Sequence, residues 1–539
     1  MKIKKSEGII KKYKPVLVMI LDGWGISPSW GGNALAVNSP QNMNRLWRDY
    51  PHKVLQAFNL IAGKYGMVGD SRLGHSTIAA GRRIPQSLEI ISEAIADSSF
   101  YHNKALTGAI EHCKKYRSNL HLLGLVSSGG IHAHTSHLNA LIELCHRQNF
   151  TNVYLDLITD GVDSGQFDAL TLIEKVKEKI TETGVGKFST IVGRFYAMDR
   201  IGDLKKTEST YLMLTEGEGR RFKSINSAIA SSYREKFNDF NLPPSVIEND
   251  GKVTLLKNDD AVIFFNFRSD RSLQLTEMIA DTGLKKFFST KRLKNIWFTT
   301  LTEYGKKLPV KVAFAKNNVI GTLGEILSSR NEKQLRIAES EKEAHVTSFF
   351  NCGSPYPFQG EERKIIPSKR NSNPVKDPVM AAPKITKTVI KAIESKNYDF
   401  ILVNFANVDM LSHTGNMIAA GKAIKVVDDA VGKIVEVNLR VGGATIITAD
   451  HGNIEEMVKI NPEQDPETKH TFNPVPFIYI TKENKKNLFK SAVGSSYFSL
   501  SKIIDAKDTL ADVAPTVLEI MGLPKSNEMT GHSLLNKLE

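Results

Sequence analysis

Four short runs along the chain are apolar without the alternation of a half-buried strand: 16–21 (VLVMIL), 261–265 (AVIFF), 400–405 (FILVNF) and 444–448 (ATIIT). Their length and branching predict buried strands, and continuous apolarity predicts parallel neighbours with helices over both faces. Between them, 87–96 (SLEIISEAIA) and 418–437 space apolar residues three and four apart, as amphipathic helices do. The fold class is therefore α/β with mostly parallel sheet. No internal repeat is visible. The one long irregular stretch runs from 351 to about 383, rich in Pro, Lys and Asn.

Three of these runs lead into a carboxylate: Leu21 into Asp22, Phe405 into Asp409, Thr448 into Asp450. Open α/β sheets bind ligands outside the carboxyl ends of their strands. The three acids thus predict one composite site built from both ends of the chain. The middle is then an insertion with its own sheet, for which 261–265 is a candidate strand.

Composition narrows the function classes. With 41% hydrophobic and 24% charged residues, the 539-residue chain is an ordinary globular protein rather than a disordered one. Lys and Arg exceed Asp and Glu by 71 to 58, a net charge of +13 that favours anionic partners. The Lys residues are scattered, without aromatic interleaving or a reader motif, so a small phosphorylated or carboxylated substrate is expected rather than nucleic acid. No run approaches the ~20 apolar residues of a membrane span. The apolar stretch behind the basic N-terminus stops at Asp22 with no small-residue cleavage site, so it reads as a strand rather than a signal peptide. Cys113, Cys145 and Cys352 are odd in number and lack a CxxC, which excludes a disulfide framework. A cytoplasmic location follows as the expectation.

Asp409 and His413 lie four apart and share one face of a helical turn; Asp450 and His451 are adjacent in TADHGN; His470 follows in KHTFNP. With Asp22, three carboxylates and three imidazoles suit Mn²⁺, Zn²⁺ or Co²⁺ better than Ca²⁺. Six such ligands fit two neighbouring ions, which clamp attacking and leaving oxygens in phosphoryl transfer. Taken singly, each acid reads equally well as a cap or loop residue, and Asp22 as a helix N-cap; the conjunction carries the inference. Ser71, in GDSRLGHSTIAAGRR, is the candidate nucleophile, a hydroxyl at the start of a predicted helix where N–H groups favour anions. The plain alternative is an N-cap serine. Basic residues cluster at Arg194 and Arg200, at Arg268 and Arg271, and at Lys342, where guanidinium forks match phosphate and carboxylate oxygens.

These residues resemble the cofactor-independent phosphoglycerate mutases of the alkaline phosphatase superfamily. The likeness runs from about residue 15 to the C-terminus and is most specific at LDGWG, VSSGGIHAH, GRFYAMDR, AVIFFNFRSDR, KQLRIAESEKEAHVTSFFN, NFANVDMLSHTG, TADHGN and KHTFNPVPF. It implies one ion on Asp409, His413 and His470 and another on Asp22, Ser71, Asp450 and His451, with Mn²⁺ first and Mg²⁺, Co²⁺ or Zn²⁺ as alternatives. It implies a discontinuous phosphatase-like domain over 15–85 and 318–539, behind a basic extension of residues 1–14. A transferase-like domain over 86–317 is inserted into it. His132, Asp163, Arg194, Arg200, Arg268, Arg271 and Lys342 would bind substrate in the cleft. The implied reaction moves the phosphate of 3-phosphoglycerate to Ser71 and returns it to the 2-hydroxyl, Asp163 exchanging the protons, without 2,3-bisphosphoglycerate and in a monomer.

The chain departs from the family pattern on the substrate side. GNSEVGH becomes GDSRLGH, with Asp70 and Arg72; the Arg of DGRD becomes Val162; the stretch after GRFYAMDR reads Ile201-Gly202-Asp203-Leu204-Lys205-Lys206; and Val408 replaces a Pro. Three readings follow in order: a mutase in which another basic residue such as Arg72 replaces the missing Arg; a phosphotransferase or phosphatase acting on another small phosphorylated metabolite; and a metal-binding protein without catalysis. Retention of Ser71 beside six other ligands disfavours the last.

Overall fold

The apolar runs 16–21, 400–405 and 444–448 lie side by side as strands in the computed structural model, which describes residues 13–28, 30–57, 71–199, 201–280, 293–305, 307–315, 318–369, 373–459, 465–486 and 507–538. The chain divides into two compact units, Met1–Ile84 with Asn318–Glu539, and Pro85–Asn317. The described residues hold fifteen strands, numbered β1–β15 along the chain.

In the first unit seven strands run in the order β12 (Glu361–Ile366), β11 (Gln334–Glu339), β13 (Phe400–Phe405), β1 (Val16–Leu21), β14 (Ala444–Thr448), β15 (Val475–Ile480) and β2 (His52–Leu55). The first five are mutually parallel, and β15 is antiparallel to both its neighbours. Every residue of β1, β13 and β14 is buried, which is what their almost unbroken apolarity encodes; β11 (QLRIAE) is buried as well, although Gln334, Arg336 and Glu339 interrupt its apolar pattern. Leu21 pairs with Phe405 and Ile20 with Thr448, so the segments after β1, β13 and β14 leave the sheet at one level.

The second unit holds an eight-stranded sheet in the order β10 (Lys311–Val312), β9 (Trp297–Thr300), β8 (Ala261–Phe264), β3 (Leu120–Val126), β4 (Val153–Thr159), β5 (Lys187–Gly193), β7 (Ser245–Ile247) and β6 (Arg220–Phe222). The six strands from β10 to β5 are parallel, and β7 is antiparallel to β5. Val126, Thr159 and Gly193 stand in register, so the residues that follow them emerge together. Both units are thus α/β with mostly parallel sheets.

Element limits follow the apolar pattern closely. The strand expected over 261–265 ends at Phe264, although Phe265 is still buried and donates to the Leu123 carbonyl. The helix expected over 418–437 spans Met417–Val441, capped by Asn416, whose side chain accepts from the Ala419 N–H, and ended at Gly442. The irregular stretch 351–383 hides β12, EERKII, an edge strand with no fully buried residue. Its charges suit an edge exposed to water and mask the strand signal.

One charged group is enclosed within the second sheet. His121 of β3 is buried, with Nδ1 2.7 Å from Asp156 Oδ2 and Nε2 3.6 Å from Asp260 Oδ2. Burial opposes the imidazolium, but Asp156 and Asp260 outweigh it and push its pKa up to about 9. A group with a raised folded pKa stabilises fully below its unfolded value of 6.5 and loses that contribution as pH rises through about 9. In urea denaturation, wild type is predicted to exceed His121→Gln in stability at pH 6, with the gap closing between pH 6.5 and about 9. A gap independent of pH would contradict this.

Candidate active site

The segments leaving β1, β13, β14 and β11 converge on one buried cluster. Asp22 directly follows β1 and is fully buried; it caps no helix. Its Oδ2 accepts from Asn404 Nδ2 at 2.8 Å, and its Oδ1 from Lys342 Nζ at 2.9 Å and Ser71 Oγ at 3.3 Å. Asp409 stands in the helical turn Asn407–Ser412 after β13, and His413 closes that turn through a bond from its N–H to the Asp409 carbonyl. Asp409 Oδ1 lies 3.2 Å from His413 Nε2 and 3.5 Å from His470 Nε2, and the two ring nitrogens are 3.1 Å apart. Asp450 and His451, after β14, are fully buried; His451 Nε2 is 2.8 Å from Ser71 Oγ and 3.5 Å from both Asp22 Oδ1 and Asp450 Oδ2. Ser71 is the first described residue of the helix Ser71–Ala80, so its hydroxyl sits in the first turn, where the helix dipole favours negative charge.

Three carboxylates share this buried space, and the ammonium that reaches them is Lys342, 2.9 Å from Asp22, 2.7 Å from Asp409 and 3.4 Å from Ser71 Oγ. Burial, then Asp450, holds the Asp22 carboxyl above its ordinary value. Burial would raise Asp409 too, but Lys342, His413 and His470 hold it well below the usual carboxylate range. For Lys342, burial is outweighed by Asp22, Asp409 and Asp450, which drive its pKa up. Unpaired charge of this density is costly away from water. Asp409, His413 and His470, and likewise Asp22, Asp409 and His451, each bring one ligand atom within 4.8 Å of the others. Hard carboxylate oxygens with imidazole nitrogens are a donor set for first-row divalent ions, and the buried Asp450 Oδ2 faces two imidazole nitrogens, His75 Nδ1 at 3.2 Å and His451 Nε2 at 3.5 Å. The residues fit a divalent metal centre.

The second unit gathers its own polar group at the carboxyl ends of β3, β4, β5 and β8. Arg194, buried at the end of β5, places Nη1 2.5 Å from Asp160 Oδ1 and 2.7 Å from Asp163 Oδ2. Asp160 Oδ1 also accepts the N–H groups of Val162 and Asp163, which fixes that turn. His132 is buried, 4.0 Å from Asp163 Oδ2 and 3.7 Å from Asp270 Oδ1. Burial, with Arg194 and Arg268 adding to it, pushes its pKa down to about 4, so the ring is neutral at pH 7. Arg268 is exposed beside Asp270 at 3.4 Å, and Arg271 donates to the Met198 carbonyl at 3.4 Å. Val162 is 58% exposed. Arg200 and Asp70 lie outside the described residues.

The structure thus gathers Asp22, Ser71, Asp409, His413, Asp450, His451 and His470 in the first unit, and His132, Asp163 and Arg194 in the second. Lys342, expected to line the substrate cleft, lies within the carboxylate cluster. Sequence reasoning passed over His75, fully buried with Nδ1 2.8 Å from the Ser71 carbonyl and 3.2 Å from Asp450 Oδ2. It also missed Asn404, which donates to Asp22 and approaches His75 Nε2 at 3.1 Å, and Asn453, which donates to Asp409 Oδ1 at 3.0 Å. The signals were available: His75 stands four residues after Ser71 on its helix, and an Asn inside an apolar strand needs a polar partner.

The family model of the BPG-independent PGAM N-terminus matches residues 91–306. A 2,3-bisphosphoglycerate-independent phosphoglycerate mutase of Clostridium kluyveri is 43% identical over 526 residues, 97% of this chain and 99% of that protein. The protein of the same name from Clostridium perfringens (strain SM101) is 42% identical over 527 residues, with the same coverage. Among solved structures, a Leishmania mexicana phosphoglycerate mutase at low cobalt concentration superimposes with a TM-score of 0.69 at 25% identity, covering 96% of this chain and 97% of that one. Likeness of this degree, carried through both units, makes the chain a member of the 2,3-bisphosphoglycerate-independent phosphoglycerate mutase family.

Proposed function

We propose that this protein is an isomerase that interconverts 3-phosphoglycerate and 2-phosphoglycerate through a phosphoserine at Ser71, without 2,3-bisphosphoglycerate. Asp409, His413 and His470 would hold one divalent ion and Asp22, Ser71, Asp450 and His451 the other, with Mn²⁺ the first choice. The observation that carries the reading is the setting of Ser71 Oγ, on a helix N-terminus within 2.8 Å of His451, 3.3 Å of Asp22 and 3.4 Å of Lys342. When bound, the ions offset the carboxylate charge, lower the pKa of the serine hydroxyl and stabilise negative oxygens on the phosphate.

Ser71 gives up its hydroxyl proton to water and attacks phosphorus through Oγ; the bond from phosphorus to the glycerate 3-oxygen breaks, and that oxygen takes the proton carried by Asp163. The Lys342 ammonium and the N–H groups of the helix start offset charge on the transferring phosphoryl group. Glycerate is retained, its 2-hydroxyl returns a proton to Asp163 as it attacks the phosphoserine, the bond from phosphorus to Ser71 Oγ breaks, and the serine oxygen regains its proton from water. Asp163, fixed against Arg194, would exchange protons with the glycerate hydroxyls. Arg194, Arg200, Arg268 and Arg271 supply cations for carboxylate and phosphate, and neutral His132 adds a hydrogen bond without a competing charge. Val162 supports a second reading: an exposed apolar side chain stands where the family has an Arg, which leaves another small phosphorylated metabolite as substrate.

A coupled assay with 3-phosphoglycerate, run alongside detection of inorganic phosphate, separates these readings; the mutase reading predicts 2-phosphoglycerate without phosphate release and no response to added 2,3-bisphosphoglycerate. Phosphate release without isomerisation favours the second reading. Ser71→Ala is predicted to abolish turnover while leaving the circular dichroism spectrum unchanged, and retained turnover removes Ser71 from the mechanism. EDTA is predicted to inactivate and Mn²⁺ to restore activity, whereas full activity after exhaustive chelation contradicts the metal assignment.

A further inference from the structure

A second carboxylate, two residues beyond TADHGN, lies outside the ligand set. Glu455 is fully buried, and among the described residues no Lys or Arg pairs with it. Neutral donors surround it instead. Its Oε2 accepts the Gly25 N–H at 3.1 Å and the Asn453 N–H at 2.8 Å; its Oε1 accepts Asn473 Nδ2 at 3.0 Å and the Thr471 hydroxyl in a short bond. Four donors match the acceptor capacity of an ionised carboxylate.

Those donors belong to three segments remote in sequence, and each carries a candidate ligand. Gly25 stands three residues after Asp22, Asn453 two after His451, and Thr471 directly after His470. The backbone comes close enough only because glycine is present: a Cβ on Gly25 would lie 2.3 Å from the Glu455 carboxyl carbon, and one on Gly452 2.3 Å from its Oε1. A bridge between Gly452 and Thr471 joins the second and third segments, and the rings of His451 and His470 stack beside it at 3.7 Å.

We infer that Glu455 is a positioning residue that clamps the Asp22, Asp450–His451 and His470 segments together and so sets divalent-metal affinity at both ions. The inference rests on the metal-centre reading above. None of these four bonds comes from a ligand side chain; Glu455 acts by fixing the backbone on which Asp22, His451 and His470 stand. Glutamine keeps the shape but turns one accepting oxygen into a donor facing two donors, and alanine removes all four bonds.

The test is Mn²⁺ binding to the full chain by calorimetry, with Glu455→Gln, Glu455→Ala and Thr471→Val. Glu455→Gln is predicted to weaken both ions about tenfold or more, the range seen for partners that orient ligands, and Thr471→Val to weaken them in the same direction. Excess Mn²⁺ is predicted to restore kcat with KM for phosphoglycerate unchanged. A purely structural role would lower the unfolding midpoint of the metal-free protein and leave the Mn²⁺ Kd of the folded protein alone. Should Glu455→Ala fail to fold, the other two variants decide. Wild-type protein that takes up two ions while the folded variants bind them as tightly overturns this inference alone; wild-type protein that takes up none overturns the metal-centre reading with it.

Discussion

Buried negative charge is the constraint around which the first unit is arranged. Asp22, Asp409 and Asp450 stand buried at the carboxyl ends of β1, β13 and β14, with exposed His413 beside Asp409, and Lys342 bridges only two of them. Such a cluster is stable when hydrogen bonds and cations compensate it. Asn404, Asn453 and His75 supply part of the compensation; divalent ions would supply the rest. The same charge that makes the cluster costly gives it the capacity to grip metal and, through metal, a phosphate.

Parallel sheets make such a cluster possible. Strands that run the same way deliver their carboxyl ends to one edge, and in-register pairing puts the following residues level with one another. The second unit uses the same geometry for a different chemistry, setting Asp160, Asp163 and Arg194 at the ends of β4 and β5. Three carboxylates gather around one lysine in the first unit, whereas in the second Asp160 and Asp163 share the guanidinium of Arg194. That contrast suits one unit to metal and the other to an anionic organic substrate.

Much of this was legible along the chain. Fully buried strands announce themselves, and β1, β13 and β14 match their apolar runs residue for residue. Asp22, Asp409 and Asp450 were found because a strand followed by an acid is a spatial statement once the sheet is parallel. Edge strand β12 was missed, since an exposed edge carries the charges that periodicity reads as loop. His75, Asn404 and Glu455 were missed for another reason: His75 and Asn404 sit inside motifs, and Glu455 just beyond one, whose louder residues drew the attention, and each has a partner hundreds of positions away, His75 in Asp450, Asn404 in Asp22 and Glu455 in Gly25. Lys342 was legible as a cation of the site, but its contacts to Asp22 and Asp409 were not, because charge alone does not say where the residues after β11 are delivered.

Anomalous diffraction at the manganese edge, from crystals of the full chain soaked in Mn²⁺, tests the central claim most directly. The account predicts two peaks, one among Asp409, His413 and His470 and one among Asp22, Ser71, Asp450 and His451. No peak beside Ser71, or peaks only at surface carboxylates away from the cluster, would contradict it.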